Sequence, residues 1–186
     1  MIIQSPNGTY VGVTDENRLK GSSISHVFDF HQNHHHGKVW SVFFEDINPV
    51  GANDKFFYFK NNSTVEYSIT DIRASCATTT GRLYIKRVIG TPTFTAGTDL
   101  TPASRNTALA PTIDATIKSD TDTTGLTDDG VLFYMDLDTV SKMYHLRTSS
   151  NIIVAPGKAI AFEWGPATGE VTAVVSFTEL EPAGSL

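Results

Sequence analysis

The chain has 186 residues, with 14 Lys and Arg against 20 Asp and Glu, for a formal net charge of -6. At 40% apolar and 18% charged residues it has the composition of one self-sufficient globular domain. Acidity this mild excludes a phosphate-tracking surface, and the lack of repeats, heptads and long charge blocks excludes collagen, coiled coil and a disordered acidic tail.

Residues 1–8 read as an irregular arm, with Ser5-Pro6-Asn7-Gly8 as turn chemistry. Thr9 to Val13 alternates as a short strand, and Thr14 to Ser23 is polar and rich in turn formers. Residues 1–23 are therefore expected to form an extended N-terminal arm, and residues 24–186 a single domain. Ile24 to Phe30 alternates Ile24, His26, Phe28 and Phe30 and predicts a strand. Lys38 to Asp46 carries bulky groups on both faces, as a central strand does. After the turn Asn48 to Asp54, Lys55 to Lys60 returns as Phe56-Phe57-Tyr58-Phe59, and the two segments predict a hairpin. Val65, Tyr67 and Ile69 alternate in the next strand, with Ile72 out of phase.

Leu83, Ile85 and Val88 mark a strand over Gly81 to Ile89. Gly90 to Pro111 is rich in Thr, Ala and Pro and has no periodicity. Connections that long are usually functional, packed on a neighbour, or mobile. Thr112 to Lys118 predicts a short strand, and Ser119 to Gly130 an acidic Thr/Asp/Gly loop. Val131, Phe133, Met135 and Leu137 alternate on one face. Thr139 to Arg147 is the one segment that reads as a short helix or helical turn, with Val140, Met143 and Tyr144 on one side. Ile152 to Val154 leads to a turn, and Ile160, Phe162 and Trp164 alternate strictly. After Gly165 to Gly169, Val171, Ala173, Val175 and Phe177 alternate back, which predicts a C-terminal hairpin. About ten strands at this spacing predict an all-β fold, a single antiparallel β-sandwich.

Chemistry-bearing residues are sparse. Cys76 is the one cysteine, so no intramolecular disulfide and no Cys-based zinc cluster can form. It reads as a buried structural thiol, and His145 as a surface or satisfied residue. The run His31, His34, His35, His36, with His26 before it, reads as an exposed strand end. His34 and His36 share a face in a strand and are the candidate metal ligands, within one chain or across subunits. Asp120, Asp122, Asp128 and Asp129, with Asp136 and Asp138 nearby, cluster in the acidic loop. Asp120-Thr121-Asp122 before Gly125 lacks the ligand spacing and bidentate Glu of a calcium loop, so a solvated loop is expected. Glu45-Asp46 is the one candidate acid pair for glycoside chemistry. Trp40 and Trp164 fall in phase with core residues and read as packing, leaving no aromatic platform for a sugar.

No Gly-x-Ser-x-Gly and no phosphate-cradling loop is present, and Lys86-Arg87 is the one adjacent basic pair. No apolar stretch approaches the length of a membrane span. Met1 to Gly8 lacks the basic and apolar regions of a secretory signal. The expectation is a protein made in the cytoplasm, not an enzyme, with no cofactor, no nucleic-acid partner and no membrane partner.

The most distinctive stretch is Gly97-Thr98-Asp99-Leu100-Thr101-Pro102-Ala103-Ser104-Arg105-Asn106. It resembles a pattern found in small virion proteins of tailed bacteriophages, Gly-Thr-x-hydrophobic-Thr-Pro-x-x-x-Asn, followed by a small-residue run and an Ala-Thr strand, here Thr107 to Thr116. The segment Ile152 to Lys158 with Ala161-Phe162-Glu163, and the Val-rich strand ending at Glu179, looks like the closing hairpin of the same family. The aromatic stretch Gly37 to Phe44 is similar to its early Gly-Lys hairpin. The resemblance implies a jelly-roll-like sandwich that builds part of a phage particle. It implies a capsid decoration or cement protein, a head-fibre base or a tail component, working as a symmetric oligomer, often a trimer. Its partners would be the major capsid protein or other virion proteins, and its location the virion. The other reading is a tail- or fibre-associated sandwich that binds a host receptor or carbohydrate. No catalytic residues belong to the pattern.

Overall fold

The computed structural model describes residues 3–4, 10–11, 36–109 and 112–180. In chain order the strands are β1 (Ile3–Gln4), β2 (Tyr10–Val11), β3 (Val39–Ile47), β4 (Asp54–Asn61), β5 (Tyr67–Cys76), β6 (Gly81–Phe94) and β7 (Thr98–Asp99). They continue as β8 (Ala103–Ser104), β9 (Ala115–Ser119), β10 (Thr123–Leu137), β11 (Tyr144–Val154), β12 (Ala159–Trp164) and β13 (Val171–Glu179). β1 and β2 pair antiparallel. The rest of the expected arm, the expected strand over 24–30, and His26, His31, His34 and His35 lie outside the described residues.

The fold is an all-β antiparallel sandwich, and its eight long strands pair as a nested set. β3 pairs with β13, β4 with β12, β5 with β11 and β6 with β10. A ribbon paired first strand to last rolls up when β13 also takes β5 and β12 also takes β6. Two sheets result, β11-β5-β13-β3-β8 and β10-β6-β12-β4-β9-β7. This is the two-sheet arrangement of a jelly roll. Two expected hairpins are thereby corrected. β3 and β4 lie in opposite sheets, and so do β12 and β13. Alternation reports which face of a strand meets the core, and a partner across the core satisfies it as well as a neighbour within the sheet.

Aromatic rings fill the space between the sheets. Phe57 packs on Phe162 at 4.6 Å, Phe44 on Phe57 at 5.1 Å and Trp40 on Phe177 at 5.8 Å. Ring pairs of this kind add about 0.5–1.5 kcal/mol each beyond the area they bury. Trp40 and Trp164 are both buried, as their phase in the sequence predicts. Two bulges explain residues that break phase. Phe162 faces Phe57 and Glu163 faces Lys55, so Phe56 is an extra residue. Both Phe56 and Phe57 then enter the core, and Lys55 turns outward. A second skip, at Thr70, lets Ile69 and Ile72 both face inward.

The segment 90–111, expected to be functional, packed on a neighbour or mobile, makes contacts with its own domain over its described part, 90–109. The end of β6 folds over the outside of its sheet, where Phe94 meets Tyr58 edge to face at 6.0 Å. With Val88, Leu126, Ala159 and Ala161 these rings make a second, smaller apolar cluster. The Asp120 carboxylate anchors the crossing by accepting from the Thr95, Ala96 and Thr121 amides at 2.8, 2.9 and 2.7 Å. β7 then extends the β9 edge of one sheet and β8 the β3 edge of the other.

Two further expectations are corrected. Residues 123–130 are strand, not loop, because β6 supplies a ladder for them. Gly125, at φ 75°, lets the chain approach so closely that a Cβ there would sit 2.5 Å from the Thr91 carbonyl oxygen. Tyr144 to Arg147 is also strand rather than helix, since it pairs with Ala74 to Asp71 of β5.

Candidate functional site

β10 and β11 are the outer strands of their sheets on one side of the sandwich, and neither has a second partner strand among the described residues. Between them lies a groove of about 540 Å³. Its walls include Ile89, Leu132, Phe133, Ile153 and Ile160, and Arg87, Asp129 and Lys158 also line it. Ten large apolar side chains are exposed among the described residues, and seven lie on this side: Ile89, Val131, Leu132, Tyr134, Val140, Met143 and Ile153.

Register slips put them there. β10 faces β6 through Asp128–Val88, then Val131–Lys86, then Phe133–Ile85. Asp129 and Gly130 therefore stand opposite Arg87 alone, one residue too many, and Leu132 is a second extra residue. The slips place Val131 and Phe133 on opposite faces, so Val131 is 55% exposed while Phe133 packs on the core. Gly130 has φ 125°, and a Cβ there would meet nothing within 4 Å, so the bulge stands clear of the body. The Arg87 guanidinium clamps its base, donating to the Asp129 carbonyl at 2.7 and 3.0 Å and pairing with its carboxylate at 2.7 Å.

The outside of the same sheet carries a closed charge network. Lys86 Nζ donates to both Glu163 oxygens and to Asp128 at 2.6 Å, while Lys55 reaches Asp128 at 2.9 Å and Glu163 at 3.3 Å. Burial alone would lower the Lys86 ammonium, but its hydrogen bonds to Asp128 and Glu163 outweigh that and hold it above its ordinary value. Burial alone would raise the Asp128 carboxyl, but the two lysines carry it below the usual carboxylate range. A lysine nucleophile needs a lowered pKa, and Lys86 has the opposite. The network staples strands together.

Nearer the foot of β10, Tyr84 and Tyr134 face each other across the ladder. The Asp136 carboxylate accepts from Arg82 at 2.6 and 3.2 Å. Hydrogen bonding to Asp136, with a further contribution from Tyr84, holds Arg82 above its ordinary pKa. The guanidinium lies over both rings, 4.4 Å from the Tyr134 centroid and 6.0 Å from that of Tyr84. A shallow pocket of about 370 Å³ adjoins these groups.

The residues singled out from the sequence do not converge. His36 is exposed just before β3, and its proposed companion His34 lies outside the described residues. Of the loop carboxylates, Asp120 is buried on backbone amides, Asp128 sits among lysines, Asp129 pairs with Arg87 and Asp136 with Arg82. Asp138 accepts from the Tyr144 hydroxyl, which holds it below its ordinary value. Asp122 is raised by burial and by the neighbouring Asp54 and Asp120. Of the acidic loop expected over Ser119 to Gly130, Asp120 to Asp122 is a short connection with Asp120 turned onto backbone amides, while 123–130 is strand with Asp128 and Asp129 in ion pairs. No group of three or more metal-ligating side chains comes together among the described residues.

Glu45 and Asp46 are exposed on a bulge of β3, where the register slips between Ile47 and Phe44 and Asp46 takes φ 53°. Cys76 is buried, and burial pushes its thiol up, against any role as a nucleophile. His145 pairs with Asp71 on the outside of β5 and β11. What the sequence reading missed is the open side itself. The one local signal is Asp128-Asp129-Gly130, turn chemistry inside a strand pattern, which marks a bulge.

Comparison with known proteins gives no matching family model, no matching curated protein and no matching solved structure.

Proposed function

We propose that the chain is a non-enzymatic structural protein of a bacteriophage particle, a capsid decoration or cement protein that stabilises the shell through contacts between subunits. Its partners are the major capsid protein or other virion proteins, and it works as a homo-oligomer, a trimer in the first instance. The observation that carries this reading is the open β10–β11 side, where two long strand edges flank a groove along which Ile89, Leu132 and Ile153 are exposed. Clusters of that kind mark surfaces that meet another macromolecule. Jelly rolls recur in viral capsid and lectin domains. The resemblance of Gly97 to Asn106 to phage virion proteins adds to this.

The second reading, a tail or fibre module binding a host receptor or carbohydrate, is favoured by the pocket lined by Tyr84 and Asp136, with Tyr134 opposite Tyr84 across the ladder. It ranks second because the guanidinium of Arg82 already lies over both rings, which a sugar would need for stacking.

The test is direct. An antibody raised against the purified chain is used to probe phage particles banded on a density gradient from the culture that carries its coding sequence. Signal that comigrates with particles at a fixed copy ratio supports the reading, and its absence from banded particles overturns it. A glycan array probed with the same protein decides the second reading, which requires a hit that is lost in Tyr134→Ala.

A further inference from the structure

We propose that the occupant of the open β10–β11 side is a second copy of this chain, docked across the groove and the two strand edges. This deepens the assembly reading above and rests on it only in taking the chain as a building block.

Three observations favour a copy over any other partner. The first is size. Ile89, Val131, Leu132, Tyr134, Val140, Met143 and Ile153 are each 38–55% exposed. Ile89, Leu132 and Ile153 line the groove itself, and Val131, Tyr134, Val140 and Met143 stand along β10 and its connection to β11, so exposed apolar groups extend along this edge well beyond the groove, as a contact between macromolecules needs.

The second is charge. The chain carries a net charge of -6, so copies repel unless they meet where the charge is balanced. On this side of the sheet the charges cancel in place: Arg87 with Asp129, Arg82 with Asp136, and Lys55 and Lys86 with Asp128 and Glu163. The one further charge in the groove lining is Lys158, a single cation that suits a neighbour as acidic as this chain and is too little to hold a polyanion.

The third is shape. One side of a single subunit offers both a groove and the Asp129-Gly130-Val131 bulge that projects beside it. A symmetry-related copy brings the same two features, so a rotation axis can place each bulge against a neighbouring subunit's groove, in a trimer around a closed ring. Main-chain groups along the outer edges of β10 and β11 are available to such a neighbour for strand pairing.

The test is the mass of the full-length chain in solution, by sedimentation velocity, for wild type, Leu132→Arg, Ile153→Arg and the control Phe43→Arg. Phe43 is 53% exposed on the outside of the other sheet. The expected result is an oligomeric wild type and control, with self-association weakened at least about tenfold in both open-side variants and an unchanged melting temperature. A wild type that stays monomeric up to its solubility limit overturns the inference, and so do folded open-side variants that remain fully oligomeric.

Should either variant fail to fold, hydrogen exchange of the wild type decides. Amides of β10 and β11 protected in concentrated but not dilute solution support the interface, and protection independent of concentration overturns it. A monomer found in banded particles would overturn this inference and leave the proposed function standing. An oligomer formed through this side but absent from particles would do the reverse.

Discussion

On the side where β7 and β8 lie, the outermost strand of each sheet is two residues long, and one continuous segment ties both sheets together. On the β10–β11 side the outermost strands run to 15 and 11 residues, and apolar side chains stand exposed along them. Short, covered edges are the usual defence of a sheet against unwanted pairing. The same fold therefore protects one flank and leaves the other available. The hydrogen bonds differ in kind as well. The closed flank spends a buried carboxylate, Asp120, on backbone amides, whereas the open flank spends its carboxylates on lysines and arginines at the surface. The first side is tied down through its backbone, and the second through ion pairs between side chains.

If that contrast holds, substitutions should separate by flank. Asp120→Ala should have the largest effect, about 3 kcal/mol, because it orphans the amides of Thr95, Ala96 and Thr121 behind a buried site. The urea midpoint would fall with an unchanged slope, and a loss below about 1 kcal/mol would mean that the crossing segment is not anchored there. Gly90→Ala follows at about 2 kcal/mol, since φ is 107° and the new Cβ would lie 2.6 Å from the Gly125 carbonyl oxygen. Thermal melts would detect it.

Asp128→Asn should be smaller. A carboxyl held below its unfolded pKa stabilises the fold above that pKa and loses the contribution as pH falls through the folded value. The dependence therefore lies below about pH 4. Because the side chain is 41% exposed, screening keeps the effect under about 1 kcal/mol. The variant should flatten the acid limb of a stability profile measured from pH 2 to 6, and an unaltered limb would remove Asp128 from the account. Smallest of all, Val131→Ser on the open flank should leave monomer stability within about 0.5 kcal/mol. A larger loss, read from the same urea titration at a dilution where the chain is monomeric, would show that this flank too holds the fold together.

Much of the strand content was legible because alternation of apolar residues is a property of single strands. Phe57, Phe162, Val175 and Phe177 all announce their inward face. Pairing was not legible, since the partner of β3 is not the next strand but the last, and nothing local distinguishes the two cases. Bulges were the other barrier. Ile72 looked out of phase until the extra residue at Thr70 brought it inward. Val131 looked like part of a core face until Leu132 intervened. The stretch from Thr123 to Gly130 was read as loop because Thr, Asp and Gly are poor local evidence for a strand, and only the ladder from β6 makes one of it. The candidate site suffered most from this, being made of residues that register slips turn outward. His34 and His36 drew attention by composition alone, and His34 lies outside the described residues.

The partnership of β3 with β13 also orders events during synthesis. Trp40, Val42 and Phe44 leave the ribosome early, yet apart from the two residues of β8 their sheet neighbour is the strand Val171–Glu179. β13 also separates β3 from β5 in the finished sheet, so a nascent chain that lacks it holds two unjoined pieces of that sheet. Long-range pairing of this sort folds slowly and keeps apolar surface uncovered meanwhile. The chain must be made through Glu179 before this sheet can close, and β3, with Trp40 and Phe44 bound for the core, is the strand that waits.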